Sequence, residues 1–413
     1  MPRTRQYVYE IGNAAPSVPI LILNNPAPAA SDQFGSAVAI SGPRVVVGAA
    51  ADGTATIRSG RAYVYDLVGA TPAVPVVLLD NASPVGGDSF GGSVAISGLR
   101  VVVGASGRDS GAENAGSAYV FDLGNGTPSV PIATLNNPTP TVQDNFGSSV
   151  ALSGTRVVVG AHRDGTFAMD AGNAYLYDLS SGTPSVAVNT LNRPGTPEGD
   201  EFGFSVGISG TRMVVGARYS DLGASNAGSA YVYDLSSSTP TEPVATLNNP
   251  TPEANDYFGS SVAISGMLVV VGALGDDSGA SDAGSAYVYD LSSGTPAVPV
   301  ATLNKPSLVV GDEFGGAVAI DGTRVVVGVI GDDTGATSAG SVYVYDLTSG
   351  TPTVPVTTLH NPGPAGSDYF GNSVAISDAL VVVGTVRDDT GAINAGSAYC
   401  LVLGIDYTWC AKE

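Results

Sequence analysis

Cysteine, histidine and lysine are scarce in this chain, and it has no long apolar run. Cys400 and Cys410 are too few for a disulfide scaffold. Close together near the C-terminus, they could either clip a terminal hairpin or stand as two thiols. The two histidines, His162 and His360, lie far apart with no serine or cysteine elbow beside either, so neither a hydrolase triad nor a zinc site is expected. Lys305 and Lys412 are the only lysines, and 16 basic against 37 acidic residues leave a formal net charge of −21. A polyanion of this kind repels phosphate backbones and anionic membranes, so nucleic acid is excluded as a partner and cations or cation-bearing partners suit it. No apolar stretch approaches the roughly 18 residues of a spanning helix, which argues against membrane insertion. Basic residues open the stretch Met1–Glu10, but no apolar segment follows them, so it does not read as a signal peptide.

Glycine (55) and proline (27) are abundant instead, with 43% hydrophobic residues, a composition of many short strands joined by turns. Phe-Gly recurs at Phe34, Phe90, Phe146, Phe202, Phe258, Phe314 and Phe370, every interval being 56 residues. A period of that size belongs to solenoids, arrays and propellers. In the fifth copy, Gly259–Ser265 alternates, and Leu268–Ala273 is a continuous apolar run suited to a strand buried on both faces. Ala286–Asp290 alternates aromatic and β-branched residues, and Val300–Leu303 is a fourth short strand. Ser-Gly and Gly-Thr-Pro turns separate them. Each copy therefore reads as four antiparallel strands, apolar on both faces. Such sheets hide both faces by stacking around an axis.

The expected fold is all-β: one seven-bladed β-propeller spanning residues 1–413, built of four-stranded antiparallel blades and closed by pairing of N-terminal and C-terminal strands. Ile20–Leu23 matches a fourth strand but precedes the first Phe-Gly, so residues 18–24 should complete the last blade. Tyr7–Glu10 and Tyr399–Leu403 both match a third strand and compete for one slot, which Tyr399–Leu403 is expected to fill. The phenylalanine reads as a wedge between blades, and the glycine as a place of close backbone approach or positive φ.

The string Asp256-Tyr-Phe-Gly-Ser-Ser-Val-Ala-Ile-Ser-Gly, then Val-Val-Val-Gly-Ala273, Gly275-Asp-Asp-Ser-Gly and Ala283-Gly-Ser-Ala-Tyr-Val-Tyr-Asp290 resembles the FG-GAP repeat. The bacterial form is the nearer likeness, and the propeller of integrin α subunits a more distant one. The resemblance runs through all seven copies. It implies an extracellular or cell-surface propeller of the adhesion or ligand-binding kind, and names no ligand. Calcium-binding repeats of the integrin type carry an Asp-rich loop between the first and second strands. Here that connection is as short as Ser153–Arg156, so the usual calcium sites of the family are missing.

In a propeller, the loops from fourth to next first strand share a face with those from second to third. The first class holds Asp32, Asp88, Asp144, Asp200, Asp256, Asp312 and Asp368, one per copy. They can fix each turn by accepting backbone N–H groups, or form a ring of carboxylates gathering ligand or cations at the channel mouth. The second class offers Asp276, Asp277, Asp282, Asp332, Asp333, Asp388 and Asp389 as oxygen ligands for calcium, or as solvated turn residues. Most of the 37 acids fall on this top face, while Arg44, Arg100, Arg156, Arg212 and Arg324 mark the opposite one. Near-interchangeable copies suit binding or structure better than catalysis, whose groups play unlike roles. The sequence thus points to a monomeric, non-catalytic adhesion or recognition propeller with a protein or cell-surface ligand. A multivalent glycan-binding propeller and a ligand-free spacer are the other two readings. The top loops bring few aromatics for sugar platforms: Tyr219, Tyr257, Tyr369, Phe167 and Phe204.

Overall fold

A computed structural model describes residues 19–54, 57–81, 83–195 and 198–403. Their strands form seven four-stranded sheets, with one extra two-stranded hairpin, and there is no helix among them. Blade 1 runs Phe34–Ser41, Arg44–Ala49, Arg61–Asp66 and Val77–Leu79 in spatial as in chain order, and blades 2 to 6 repeat that order. Blade 7 takes Phe370–Ser377, Leu380–Thr385 and Ser397–Val402 from the C-terminal end and Leu21–Asn24 from the N-terminal end. Leu21 is opposite Cys400 and Asn24 opposite Ser397, so the ring closes by antiparallel pairing. Tyr399 occupies the contested third-strand slot; Tyr7–Glu10 and Cys410 lie outside the described residues. Cys400 is a buried thiol, its pKa raised by that burial.

The core lies between blades rather than within one. Its seven apolar clusters each draw from two neighbours, as where Phe34, Val45, Val47 and Tyr65 of blade 1 pack with Leu23, Val382, Ala398 and Cys400 of blade 7. The Phe-Gly phenylalanine is fully buried there, its ring tilted on one third-strand tyrosine and edge-on to the next aromatic, 5.5 and 6.4 Å away for Phe34. Two glycine positions explain why the blades approach so closely. The Phe-Gly glycine has φ between +87° and +96°, and sits at a register shift in the first strand. Second-strand Gly272 has no such φ; a Cβ there would collide with the carbonyl oxygen of Gly315 in the next blade. Serines add inter-blade bonds, Ser261 Oγ donating to Gly315 O at 2.7 Å and Ser149 Oγ to Gly203 O at 2.7 Å.

Register places the functional surface. Phe258 faces Ala273, which faces Ser285, so first strands start, second strands end and third strands start at one end of the ring. The loops carrying the two classes of aspartate therefore share the top face. At the bottom, Arg44, Arg100, Arg156, Arg212 and Arg324 each stand opposite a third-strand aspartate, as Arg212 does Asp234 with 3.3 Å between charged atoms. These arginines offset part of the acid on that face, which also carries Asp290, Asp321 and Asp378.

Candidate functional site

The seven aspartates before Phe-Gly are all buried, at 0–5% exposure, beneath the loops rather than around the channel mouth. Asp256 Oδ2 accepts from Glu253 N at 2.7 Å and from Asn249 Nδ2 at 2.7 Å. Asp32 does the same with Ala29 N and Asn25 Nδ2, and Asp144 with Thr141 N and Asn137 Nδ2. Asp88, Asp312 and Asp368 accept the same N–H three residues back, so six of the seven carboxylates close their own turns, and Asp200 is held by Arg193 instead. Twenty residues further on, Asp52, Asp164, Asp276, Asp332 and Asp388 are buried beside them. Each accepts the hydroxyl of a third-strand tyrosine: Tyr63, Tyr175, Tyr287, Tyr343 and Tyr399. Asn137 Nδ2 reaches both carboxylates of its copy, at 2.7 Å to Asp144 and 3.1 Å to Asp164.

Where the copies differ here, a cation enters. Lys305 replaces the asparagine and its Nζ lies 3.0 Å from Asp312 and 3.2 Å from Asp332. Arg193 replaces it in the fourth copy, 2.8 Å from Asp200, where the second aspartate has become Ser220. Arg108 takes the second aspartate's place in the second copy, 3.2 Å from Asp88. Burial still lifts Asp200 and Asp256 to about 6, Arg193 pulling the first back down and Asp276 adding repulsion to the second.

The loops offered for calcium disperse their carboxylates. Asp276 points inward to Tyr287 and accepts Ser278 N at 2.8 Å. Exposed Asp277 accepts the N–H of Asp282 at 2.7 Å; Asp333 and Asp389 likewise accept from Ser338 and Asn394, both at 2.8 Å. Asp332 and Asp388 turn inward as Asp276 does. No three acidic, histidine or cysteine side chains converge on a point among the described residues, so the carboxylates of these loops share no centre in this arrangement. The hairpins between first and second strands are too short to wrap an ion, since Ser153 pairs directly with Arg156.

Sequence reasoning located single aromatics on this face but missed that they meet one another and two arginines. The channel, about 300 Å³, is lined by serines, small residues and valines, and by one large side chain, Phe204. Six other copies have Ser36, Gly92, Ser148, Ser260, Gly316 and Asn372 there. Arg218 lies with its guanidinium 3.7 Å from the Phe204 ring centre and 4.5 Å from that of Tyr219, and its Nε donates to Glu201 Oε2 at 2.8 Å. Arg163 Nε is 3.6 Å from the other oxygen of Glu201, and Tyr219 meets Tyr257 edge-on at 5.7 Å. His162 packs edge-on to Phe204 at 5.5 Å with Nδ1 2.8 Å from Ser148 Oγ. Its burial, with Arg163 and Arg218 nearby, lowers its pKa to about 3. Glu201 and Tyr257 belong to a column, with Gln33, Ser89, Asn145, Glu313 and Tyr369, in which all seven residues have φ of +53° to +60°. This column lies where each top loop enters its first strand, and Glu201 is buried there at 4% exposure. Aligning the copies shows the signal: the rim columns vary freely while the strand columns scarcely change.

A closed ring of seven four-stranded blades with a variable inner rim defines a β-propeller of the repeat-built class. The FG-GAP repeat pattern matches residues 26–65, 84–121, 140–177, 191–233, 244–289, 307–345 and 355–402, and the chain belongs to that family. Its fold is typically non-catalytic. Among solved structures, the chain is similar to the computationally designed Ika8 protein, at 15% identity and a TM-score of 0.47, over 92% of this chain and 100% of that one. No curated protein matches it.

Proposed function

We propose that the chain is a non-catalytic recognition propeller of the adhesion type, working outside the cell or at its surface. Its ligand, a protein or a cell-surface glycan, docks on the top face. One observation carries this reading: the copies keep their frame almost unchanged and differ where loops and first strands meet at the top of the channel. Residues that serve only the frame have no cause to diverge there. The aromatics Phe204, Tyr219 and Tyr257 gather on one arc, so the ligand is expected to bind once per ring rather than seven times. Exposed Asp109, Glu113, Asp170, Asp221, Glu253, Asp277, Asp333 and Asp389 around that arc disfavour polyanions.

Labelled chain binding to cell surfaces tests the reading. Replacing Phe204 by Ser and Arg218 by Ala, the residues found in the first copy, should abolish binding in a chain that still folds and melts in one transition. Arg156→Gln on the bottom face should bind as the parent does. Loss in the bottom-face variant alone would overturn the assignment of the face.

A further inference from the structure

The top rim is negative almost throughout, yet at one place two arginines share a single acid. We infer that Arg218 is the anchor of a carboxylate-binding site, its ligand carrying one carboxylate in otherwise neutral or basic surroundings. This rests on the recognition reading above and names the chemistry of that same arc.

Three departures from the repeat converge on this guanidinium. At the position of Arg218 the other copies have Ala50, Ser106, His162, Leu274, Ile330 and Val386, so the frame does not need a cation there. Phe204 stands where the others have small residues, and supplies a ring 3.7 Å from the guanidinium. Glu201 Oε2 accepts the hydrogen bond of Arg218 Nε–H at 2.8 Å and engages neither Nη. Ring and acid together fix the guanidinium plane, the condition under which arginine loses least entropy on binding a planar acid. Among the described residues, Nη1 and Nη2 of Arg218 donate no hydrogen bond. Glu313, the other glutamate of that column, shows that the frame accepts the acid without any arginine beside it.

The charge count agrees. Arg163, 45% exposed, adds a second cation to Glu201, leaving one positive charge in excess at this point. Arg218 itself is 23% exposed, enough for a ligand to reach its edge and little enough to limit screening. The exposed acids outside the arc turn away polyanions, so a lone carboxylate is selected over sulfate-rich or phosphate-rich chains. Such a group occurs both as an acidic side chain in a protein and as the acid of a uronic sugar.

The test is a side-chain NMR titration of the full chain, reading the arginine Nε–Hε signals. The probes are a neutral capped peptide with one aspartate and methyl glucuronide, each beside its amide counterpart. A saturable shift of the Arg218 signal with an acid probe, and none with its amide, is expected. The probe that binds tells protein from glycan. Arg218→Lys keeps the charge but not the fork, and should weaken binding roughly tenfold or more. Arg387→Gln, elsewhere on the top face, should change nothing. No selective shift, equal response to the amides, or undiminished binding by Arg218→Lys would overturn the site. Cell-surface binding by the same variants separates the two ideas. If Arg218→Lys binds surfaces normally while Phe204→Ser with Tyr257→Ala does not, the recognition face stands and the carboxylate site falls. If neither variant alters surface binding, both fall.

Discussion

Lys305 and Asp332 hold a charge exchange inside the propeller: the ammonium lies 3.2 Å from the carboxylate and 3.0 Å from that of Asp312, all three residues being at most 9% exposed. Asparagine fills the same place in five other copies, at Asn25, Asn81, Asn137, Asn249 and Asn361, donating neutral hydrogen bonds to the same class of aspartate. The pocket therefore accepts a charge or an amide, provided a donor is present.

Removing the donor altogether should be costly. Lys305→Met leaves two buried carboxylates facing each other without a counter-charge, a loss of about 3–5 kcal/mol. Lys305→Asn restores the arrangement of the sister copies and should cost well under half as much. Denaturant midpoints of the two variants check this; equal losses would mean that the amide cannot replace the ammonium.

Buried acids also set an unusual pH response. Asp200 and Asp256 are raised from 3.8 to about 6, chiefly by burial, and burial raises Asp32, Asp52, Asp144 and Asp368 as well. A group raised on folding binds its proton more tightly in the native state, so it favours folding below its unfolded value and loses that effect as pH rises through the folded one. Asp332 runs the other way: burial pushes it up, but Thr334 and Lys305 outweigh that and lower it. Surface Asp178, Asp234, Asp290 and Asp346 are lowered by the hydroxyl and N–H of the Ser or Thr two residues on. Their contribution is lost only below 3.8. Stability should therefore fall as pH rises from about 4 to about 6, and the urea midpoint at about pH 4.5 should exceed that at about pH 7. A midpoint rising steadily with pH would contradict the raised values.

The third-strand tyrosines are not equivalent. Tyr287 donates to the buried carboxylate of Asp276, whereas Tyr231 accepts from Arg193 Nε at 2.8 Å. Tyr287→Phe leaves the buried Asp276 side chain short of a donor, at about 2 kcal/mol, and Tyr231→Phe leaves an arginine that still holds Asp200, at about 1 kcal/mol. Equal unfolding free energies for the two variants would show that the partner's charge does not matter.

Gly272 limits the spacing of blades 5 and 6. A methyl group there meets the backbone carbonyl of Gly315, which no rotamer change can move. Gly272→Ala should cost about 3 kcal/mol, at the upper end of over-packing penalties. Gly294→Ala, in an exposed turn with open space around it, should be nearly silent in the same melting experiment.

The blades were legible because alternation and turn residues act over a few neighbours, as in Leu268–Ala273 and Ser285–Asp290. Ring closure was legible from the surplus fourth strand at Leu21–Asn24. The aspartates before Phe-Gly were harder, because burial depends on the asparagine seven residues earlier and the tyrosine of the same blade. Neither partner is adjacent in sequence. The arc at Arg218 was the least visible: Glu201 and Phe204 lie at the start of the first strand and Arg218 just past the end of the second, and Glu201 sits in a column of positive φ. Nothing in the local sequence announces that φ.

Calcium gives the last test. Asp276, Asp277 and Asp282 stand within seven residues, the spacing that recommended this loop as a cage. Folding spends them separately: Asp276 holds the Tyr287 hydroxyl and Asp277 the Asp282 N–H, which leaves no shared centre. A ligand at roughly 100 times its dissociation constant would add about 2.7 kcal/mol, well within reach of a melting curve. Melting in calcium and in excess chelator, at equal ionic strength, should therefore coincide. A calcium-specific rise that disappears in Asp276→Ala with Asp277→Ala would mean that the loop rearranges around the ion, and that these hydrogen bonds are only one of its two states.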